Sequence, residues 1–233
     1  MAHRCGGALA PENTLAGFAI AALLGCGGVE FDVMLSAEGT PWLIHDETLE
    51  RTTNGCGKVC ESTDAVLAGL DAGCMHHRAY AGVRLPRFEA ALTECRRLNL
   101  RANIEIKPAI GHDAATATRV ARMAAEAAGL AGSLLLSSFS EEALHVARRE
   151  APQLPRALLV EALPSDWHAR CVSLGVIAVH ANSALLTHAQ AQAIKRAGLH
   201  LAVYTENAPV HAQELFAWGV DCLITDRPDI VHA

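Results

Sequence analysis

Along most of this chain a short apolar run rich in β-forming residues is followed by an Ala/Leu-rich amphipathic segment, and this alternation constrains the fold most. Strands are expected at 28–34, 41–45, 101–107, 133–138, 156–160, 176–180, 199–205 and 221–225. Helices are expected at 13–25, 113–128, 140–149, 164–174, 187–197 and 208–218. Asn13 is the expected N-cap of the first helix, with Gly25 near its C-terminal end. Pro108 should stop the strand before it, and Glu141 and Glu142 suit the first turn of a helix. Strands alternating with helices imply parallel strands joined by right-handed crossovers. Seven such alternations run from residue 28 onward, and residues 1–4 supply the stub of an eighth strand. Eight units close into an α/β TIM barrel, (β/α)8. An open doubly wound sheet would want a Gly-x-Gly-x-x-Gly turn after its first strand, which Cys5-Gly6-Gly7-Ala8 does not supply.

One segment breaks the rhythm. Residues 46–84 are rich in Gly, Thr, Asn and Cys and too long for an ordinary connection. They are expected to form a small insertion after the second strand, at the rim of a single domain spanning 1–233. A length of 233 residues is tight for eight units. The economy is expected at the ends: a short first strand and a vestigial last helix; whether the native start lies upstream of Met1 is open at this point.

Composition narrows the function. At 51% hydrophobic, the chain is not a disordered one. With 25 acidic against 19 basic residues, it offers no reason to expect nucleic acid or an anionic membrane as partner. No basic leader precedes an apolar stretch at the N-terminus, and the uncharged apolar run 15–29 contains four glycines. Eight cysteines show no zinc spacing, which suits free thiols in a reducing cytoplasm. A soluble cytoplasmic protein, a monomer or a homo-oligomer, is expected.

In a strand, residues i and i+2 share a face. Glu30 and Asp32 therefore lie together, as do Asn103, Glu105 and Lys107. A barrel interior is ordinarily apolar, so two polar runs facing it need a reason. Three carboxylates converging on a hard divalent cation, Mg²⁺ or Ca²⁺, supply one. A salt bridge between Lys107 and the acids is the plainer alternative. His3 and His45 each fall where a strand should end, beside Arg4 and Asp46. Two histidines, a carboxylate-held cation and two cationic clamps suit acid–base chemistry on a phosphate ester. The other histidines read as surface or core imidazoles. His180, at the end of the sixth strand, is the intermediate case, a residue for the site mouth.

The order His3-Arg4, Pro11-Glu12-Asn13-Thr14, Glu30-x-Asp32, His45-Asp46, Glu105-x-Lys107 resembles the glycerophosphodiester phosphodiesterase family. The segments 49–55 and 203–205, with Leu85-Pro86, Asn207 and Thr225-Asp226, extend the likeness over essentially the whole chain. The resemblance implies a TIM barrel that hydrolyses glycerophosphodiesters, such as glycerophosphocholine or glycerophosphoethanolamine, to sn-glycerol 3-phosphate and an alcohol. By it, Glu30, Asp32 and Glu105 would bind the divalent cation, and His3 and His45 would be the general acid and base. Arg4 and Lys107 would hold the phosphate, while Tyr204 and Phe139 would be aromatic walls of the substrate site. Attack by the glycerol 2-hydroxyl and attack by water are both open. Two departures from the family pattern stand out. Cys5 replaces a glycine, which is costly if φ is positive there. Glu206 replaces an apolar residue, and its carboxylate would weaken anion binding or favour a cationic head group. Two other readings compete: a barrel that binds phosphodiesters without turnover, and a barrel phosphodiesterase for lysophospholipid or phosphoinositide head groups. The first would lack a histidine or a metal carboxylate, and the second would show an apolar rim; neither mark is visible.

Overall fold

The structure is a computed structural model that describes residues 1–127, 129–130 and 132–231. In chain order, α1 is Leu15–Leu23, followed by the hairpin of β1 (Gly28–Leu35) and β2 (Pro41–Leu43). Next come α2 (Asp64–Gly69), α3 (Phe88–Leu98) and β3 (Arg101–Ile106). The repeat then runs α4 (Asp113–Glu126), β4 (Leu134–Ser138), α5 (Glu141–Glu150), β5 (Arg156–Val160), α6 (Trp167–Leu174) and β6 (Ala178–Asn182). It ends with α7 (His188–Arg196), β7 (His200–Tyr204), α8 (Pro209–Ala217) and β8 (Cys222–Leu223). The last residue of the helix expected at 113–128 lies outside the described residues, as does His232.

The sheet runs β2-β1-β3-β4-β5-β6-β7-β8, parallel throughout except for the antiparallel pair β1–β2. Ala2 closes it. It bridges in parallel to both Val29 and Thr225, so the stub at residues 1–4 is the strand that seals β1 to β8. Backbone bonds hold it, among them Ala2 N–H to Gly28 O, Glu30 N–H to Ala2 O, His3 N–H to Thr225 O, Thr225 N–H to Met1 O, and the Met1 amino group to Leu223 O. The fold is thus the expected TIM-like α/β barrel, and among the described residues no helix follows β8. No described helix is long and apolar enough to cross a membrane.

Three expectations need correction. The strand expected at 41–45 is not a barrel strand. It folds back along β1 with Val33 opposite Leu43, because a Ser36–Gly39 turn, with φ +76° at Gly39, makes a hairpin. Asn13 does not cap α1. Thr14 holds the N-cap position, and Asn13 sits at φ +55° with its side chain turned to the barrel. Helix α3 was not expected at all. It starts after Arg87 without a side-chain cap, but Glu89 in its first turn and Arg96 and Arg97 in its last complement its dipole, and Asn99 ends it in the left-handed region.

The apolar core lies between sheet and helices. One cluster joins α1, α3, α4 and α5 to β1, β3 and β4, and another joins α6, α7 and α8 to β5 through β8. A third, including Trp42, Leu49, Val59, Leu67 and Leu85, lies under residues 46–84. Asp64 organises that segment: it accepts from Ser36 Oγ, Thr40 Oγ1 and Trp42 Nε1, and Arg87 lies 3.5 Å away. The barrel interior is different in kind. Glu30, Asp32, Asn103, Glu105, Ser137 and His180 are all buried polar residues on its strands.

Candidate active site

Glu30 and Asp32 on β1 stand in register with Asn103 and Glu105 on β3. Pleating turns all four side chains the same way. Carboxylate oxygens of Glu30, Asp32 and Glu105 come within 4.8 Å of one another, and all three residues are buried. Burial first, and then the Asp32 charge, pushes Glu30 and Glu105 well above the usual carboxylate range. The cations nearby are loosely placed: Lys107 Nζ is 3.5 Å from Asp32 and 3.6 Å from Glu105, and Arg4 Nε is 3.8 Å from Asp32. Three converging, mutually repelling oxygen donors, with Lys107 and Arg4 at their edge and at ion-pair distances of 3.5–3.8 Å, are the donor set a hard divalent cation takes. The residues therefore fit the implied metal, and the plainer salt-bridge reading accounts less well for the cluster.

Asn13 fixes this cluster from behind. Its Nδ2 donates to Asp32 Oδ2 at 2.9 Å, and its Oδ1 accepts from the Asp32 N–H at 3.1 Å. The left-handed backbone at Asn13 is what aims the amide.

The two histidines arrive by different routes and are held alike. His3 follows the sealing stub, and His45 follows the fold-back of β2, where the Ile44 N–H donates to Asp32 O. His3 Nδ1 is 2.7 Å from Asp226 Oδ1, and His45 Nδ1 is 2.7 Å from Asp46 Oδ1. Each carboxylate occupies one ring nitrogen and leaves Nε2 for the pocket, with His3 Nε2 3.9 Å from Glu30. Burial alone would lower His3, but the Asp226 hydrogen bond and the Glu30 charge outweigh it and the net shift is upward. Burial lowers His45, and the nearby Asp32 and Asp46 do not cancel it.

Arg4 donates its backbone N–H to Glu30 and its guanidinium to Glu12 at 3.0 Å, while its buried Nε has no hydrogen-bond partner among the described residues. Arg51, from the 46–84 segment, bridges Glu12 and Asp46 and so ties that segment to the loop before α1. One cavity of about 540 Å³ opens at the C-terminal ends of the strands. His3, Arg4, Glu30, Asp32, His45, Glu105, Lys107, Phe139 and Tyr204 are all among its lining residues. Tyr204 donates its hydroxyl to Val160 O, and its ring meets Phe139 edge-on at 6.0 Å. All nine residues singled out from sequence therefore reach one cavity.

Other residues depart from expectation. Asp226, Asn13 and Arg51 support the site without having been assigned a part in it. Asp226 and Arg51 were visible only inside the quoted motifs, since nothing local marks a carboxylate that meets residue 3 from residue 226. Glu161 and Asn182 also line the cavity, hydrogen-bonded at 2.9 Å; their position at strand ends was the available signal. His180 does not line the mouth. It lies within β6 and faces a second cavity, of about 430 Å³, at the opposite end of the barrel. Glu206 turns away from the phosphate region: it is buried, accepts from the Ala208 N–H and pairs with His211, so it favours no head group. Cys5 does sit at positive φ, +78°. Its thiol is buried, and Gly17 makes room for it, since a Cβ on Gly17 would come within 2.8 Å of the Cys5 Cβ.

Comparison with known proteins covers the same span. The profile of the glycerophosphoryl diester phosphodiesterase family matches residues 3–230. A glycerophosphodiester phosphodiesterase of Caldanaerobacter subterraneus subsp. tengcongensis is 30% identical over 230 residues, covering 98% of this chain and 94% of that protein. The structure resembles an Oleispira antarctica phosphodiesterase in complex with the product sn-glycerol-3-phosphate, with a TM-score of 0.95 and 33% identity, over 99% of this chain and 93% of that one. It also resembles the Agrobacterium tumefaciens glycerophosphodiester phosphodiesterase, with a TM-score of 0.83 and 30% identity, over 99% and 96% of the two chains.

Proposed function

The chain belongs to the glycerophosphoryl diester phosphodiesterase family, and we propose that it hydrolyses glycerophosphodiesters such as glycerophosphocholine and glycerophosphoethanolamine to sn-glycerol 3-phosphate and the alcohol. It is a phosphoric diester hydrolase, a glycerophosphodiester phosphodiesterase. The finer assignments rest on the site. The observation that carries them is the three-carboxylate cluster set between two histidines, each backed by its own carboxylate.

Glu30, Asp32 and Glu105 would hold the divalent cation, Mg²⁺ or Ca²⁺. When bound, such an ion offsets phosphoryl charge and makes a nearby hydroxyl more acidic. Lys107 and Arg4, with its unpartnered Nε, would orient the phosphate. His3 and His45 form the acid–base pair: one accepts a proton from the attacking hydroxyl, and the other delivers one to the departing alcohol oxygen. Water adds overall across the P–O bond to the departing alcohol, with the hydroxyl to phosphorus and the proton to the alcohol oxygen, so the phosphate stays with glycerol. Phe139 and Tyr204 wall the organic part of the substrate. The reading takes the chain as one barrel domain with 46–84 inserted at its rim, supported by a family match over residues 3–230. It assigns the protein to the cytoplasm, supported by eight free cysteines.

The test is a product assay for sn-glycerol 3-phosphate across several diesters with defined metals. Turnover with Mg²⁺ or Ca²⁺, its loss in EDTA, and a fall of roughly 100-fold or more in His3→Ala and in His45→Ala are expected. Wild-type turnover in either variant would remove that histidine from the reaction.

A further inference from the structure

We propose that the catalytic pocket is forked, and that its side arm, between the loops after β3 and β4, receives the alcohol half of the diester and favours alcohols with an apolar body. The inference rests on the hydrolase reading above and adds a preference to it.

The main cavity and a neighbouring groove of about 470 Å³ share three lining residues, Glu105, Lys107 and Phe139. The junction thus falls at one carboxylate of the acidic cluster and at the lysine proposed to hold phosphate. A phosphodiester bears two organic substituents on one phosphorus. With the phosphate at a fork, each arm receives one of them.

The arms differ in chemistry. Beyond the junction the main cavity presents Glu161, Asn182, Ser183 and Thr205. Glu161 accepts from Asn182 Nδ2 through Oε1 and keeps a second carboxylate oxygen, an acceptor suited to the hydroxyls of glycerol. The side arm is walled by Pro108, Ala109 and Ile110 on one side and by Phe139 on the other. Its serines are already engaged. Ser138 Oγ donates to Ile106 O at 2.6 Å and accepts from the Ser140 N–H, while Ser140 Oγ donates to Asp113 and accepts from the Ala143 N–H. What the groove offers a ligand is mainly carbon. Ile110 is 88% exposed and Phe139 47%, at the mouth of a reaction centre. The fold thus assembles from residues 108–110 and 139 an apolar strip that no run of sequence announces.

A homologous series tests this: methyl, propyl and butyl diesters of sn-glycerol 3-phosphate, chains too short to form micelles, with glycerophosphoethanolamine alongside. Each covered methylene is expected to raise kcat/KM by up to about fourfold, so the butyl ester should exceed the methyl ester by roughly tenfold or more. Ile110→Ser, at a solvent-exposed position, should reduce the butyl-to-methyl ratio by about fivefold. A flat series in an enzyme that turns all these diesters over overturns the side arm and leaves the hydrolase reading intact. A preference for the ethanolamine ester that Asp113→Asn abolishes also overturns it, since the groove would then take a cation. Absence of turnover with every diester overturns both.

Discussion

At the residue scale, the site depends on side chains that hold other side chains. Asp226 is the clearest case. It reaches His3 Nδ1 at 2.7 Å and is itself met by Asn207 Nδ2 at 3.3 Å. Burial would raise the Asp226 carboxyl, but the hydrogen bond and charge of His3, with Asn207 and Arg4, together outweigh it and keep it low. Asp226→Asn preserves shape but reverses the hydrogen-bonding preference at Nδ1, so Nε2 would carry the wrong proton. Steady-state kinetics should show kcat reduced roughly 100-fold or more with KM changed by less than about threefold; an unchanged kcat would remove the positioning role. The histidines and carboxylates themselves were legible in the sequence, because strand alternation aligned Glu30 with Asp32 and Asn103 with Glu105. The supports were not. Asn13 reads as a helix cap from its local sequence, and only the tertiary fold shows its amide bound to Asp32.

At the scale of elements, periodicity located the repeating strands and helices, with ends displaced by a few residues. It failed where a tertiary partner decided the outcome. A three-residue strand at Pro41–Leu43 looks the same whether it joins the barrel or folds back, and the hairpin turn decided which. Helix α3, behind Pro86 and without a side-chain cap, is stabilised by packing: Phe88, Ala91, Leu92 and Cys95 are its buried residues. Helix α7 is the opposite case. Thr187 accepts from the Gln190 N–H and the Gln190 side chain returns to the Thr187 N–H, a reciprocal cap. Thr187→Ala should cost about 1 kcal/mol. In a domain of this size that is a melting-temperature drop of about 2–4 °C, readable by calorimetry. A variant that melts with the parent would show that tertiary contacts alone hold the start of α7.

At the scale of the whole molecule, the barrel carries polar groups through its interior, and this leaves a pH signature. His180 is buried on β6, its Nδ1 has no hydrogen-bond partner among the described residues, and burial pushes its pKa down to about 4 from an ordinary 6.5. Between those values the unfolded chain binds a proton that the folded chain refuses. Stability from this group is therefore complete above pH 6.5, falls as the pH drops towards 4, and levels off below it. Two and a half units correspond to about 3 kcal/mol as an order of magnitude. Urea unfolding at pH 7 and pH 4.5 should show His180→Leu losing less stability over that interval than the parent. Parallel losses would assign the acid sensitivity to other groups. The barrel as a whole was legible because the count of units left few other ways to close, but the polarity beneath the site was not, since His180 sits in a strand whose sequence gives no inner or outer face.

The sealing stub also sets an order of events in biosynthesis. The dyad His3–Asp226 joins residues 223 positions apart, and Ala2 finds its second strand neighbour only at Thr225. During synthesis the stub therefore emerges long before β8, and its second edge waits open while the strands between are made. The carboxylate cluster, complete once Glu105 has emerged, gathers early, whereas His3 is oriented only when the final strand arrives. Hydrolytic competence should therefore switch on in a single late step, so that a stalled or C-terminally clipped chain is inert and not half-active.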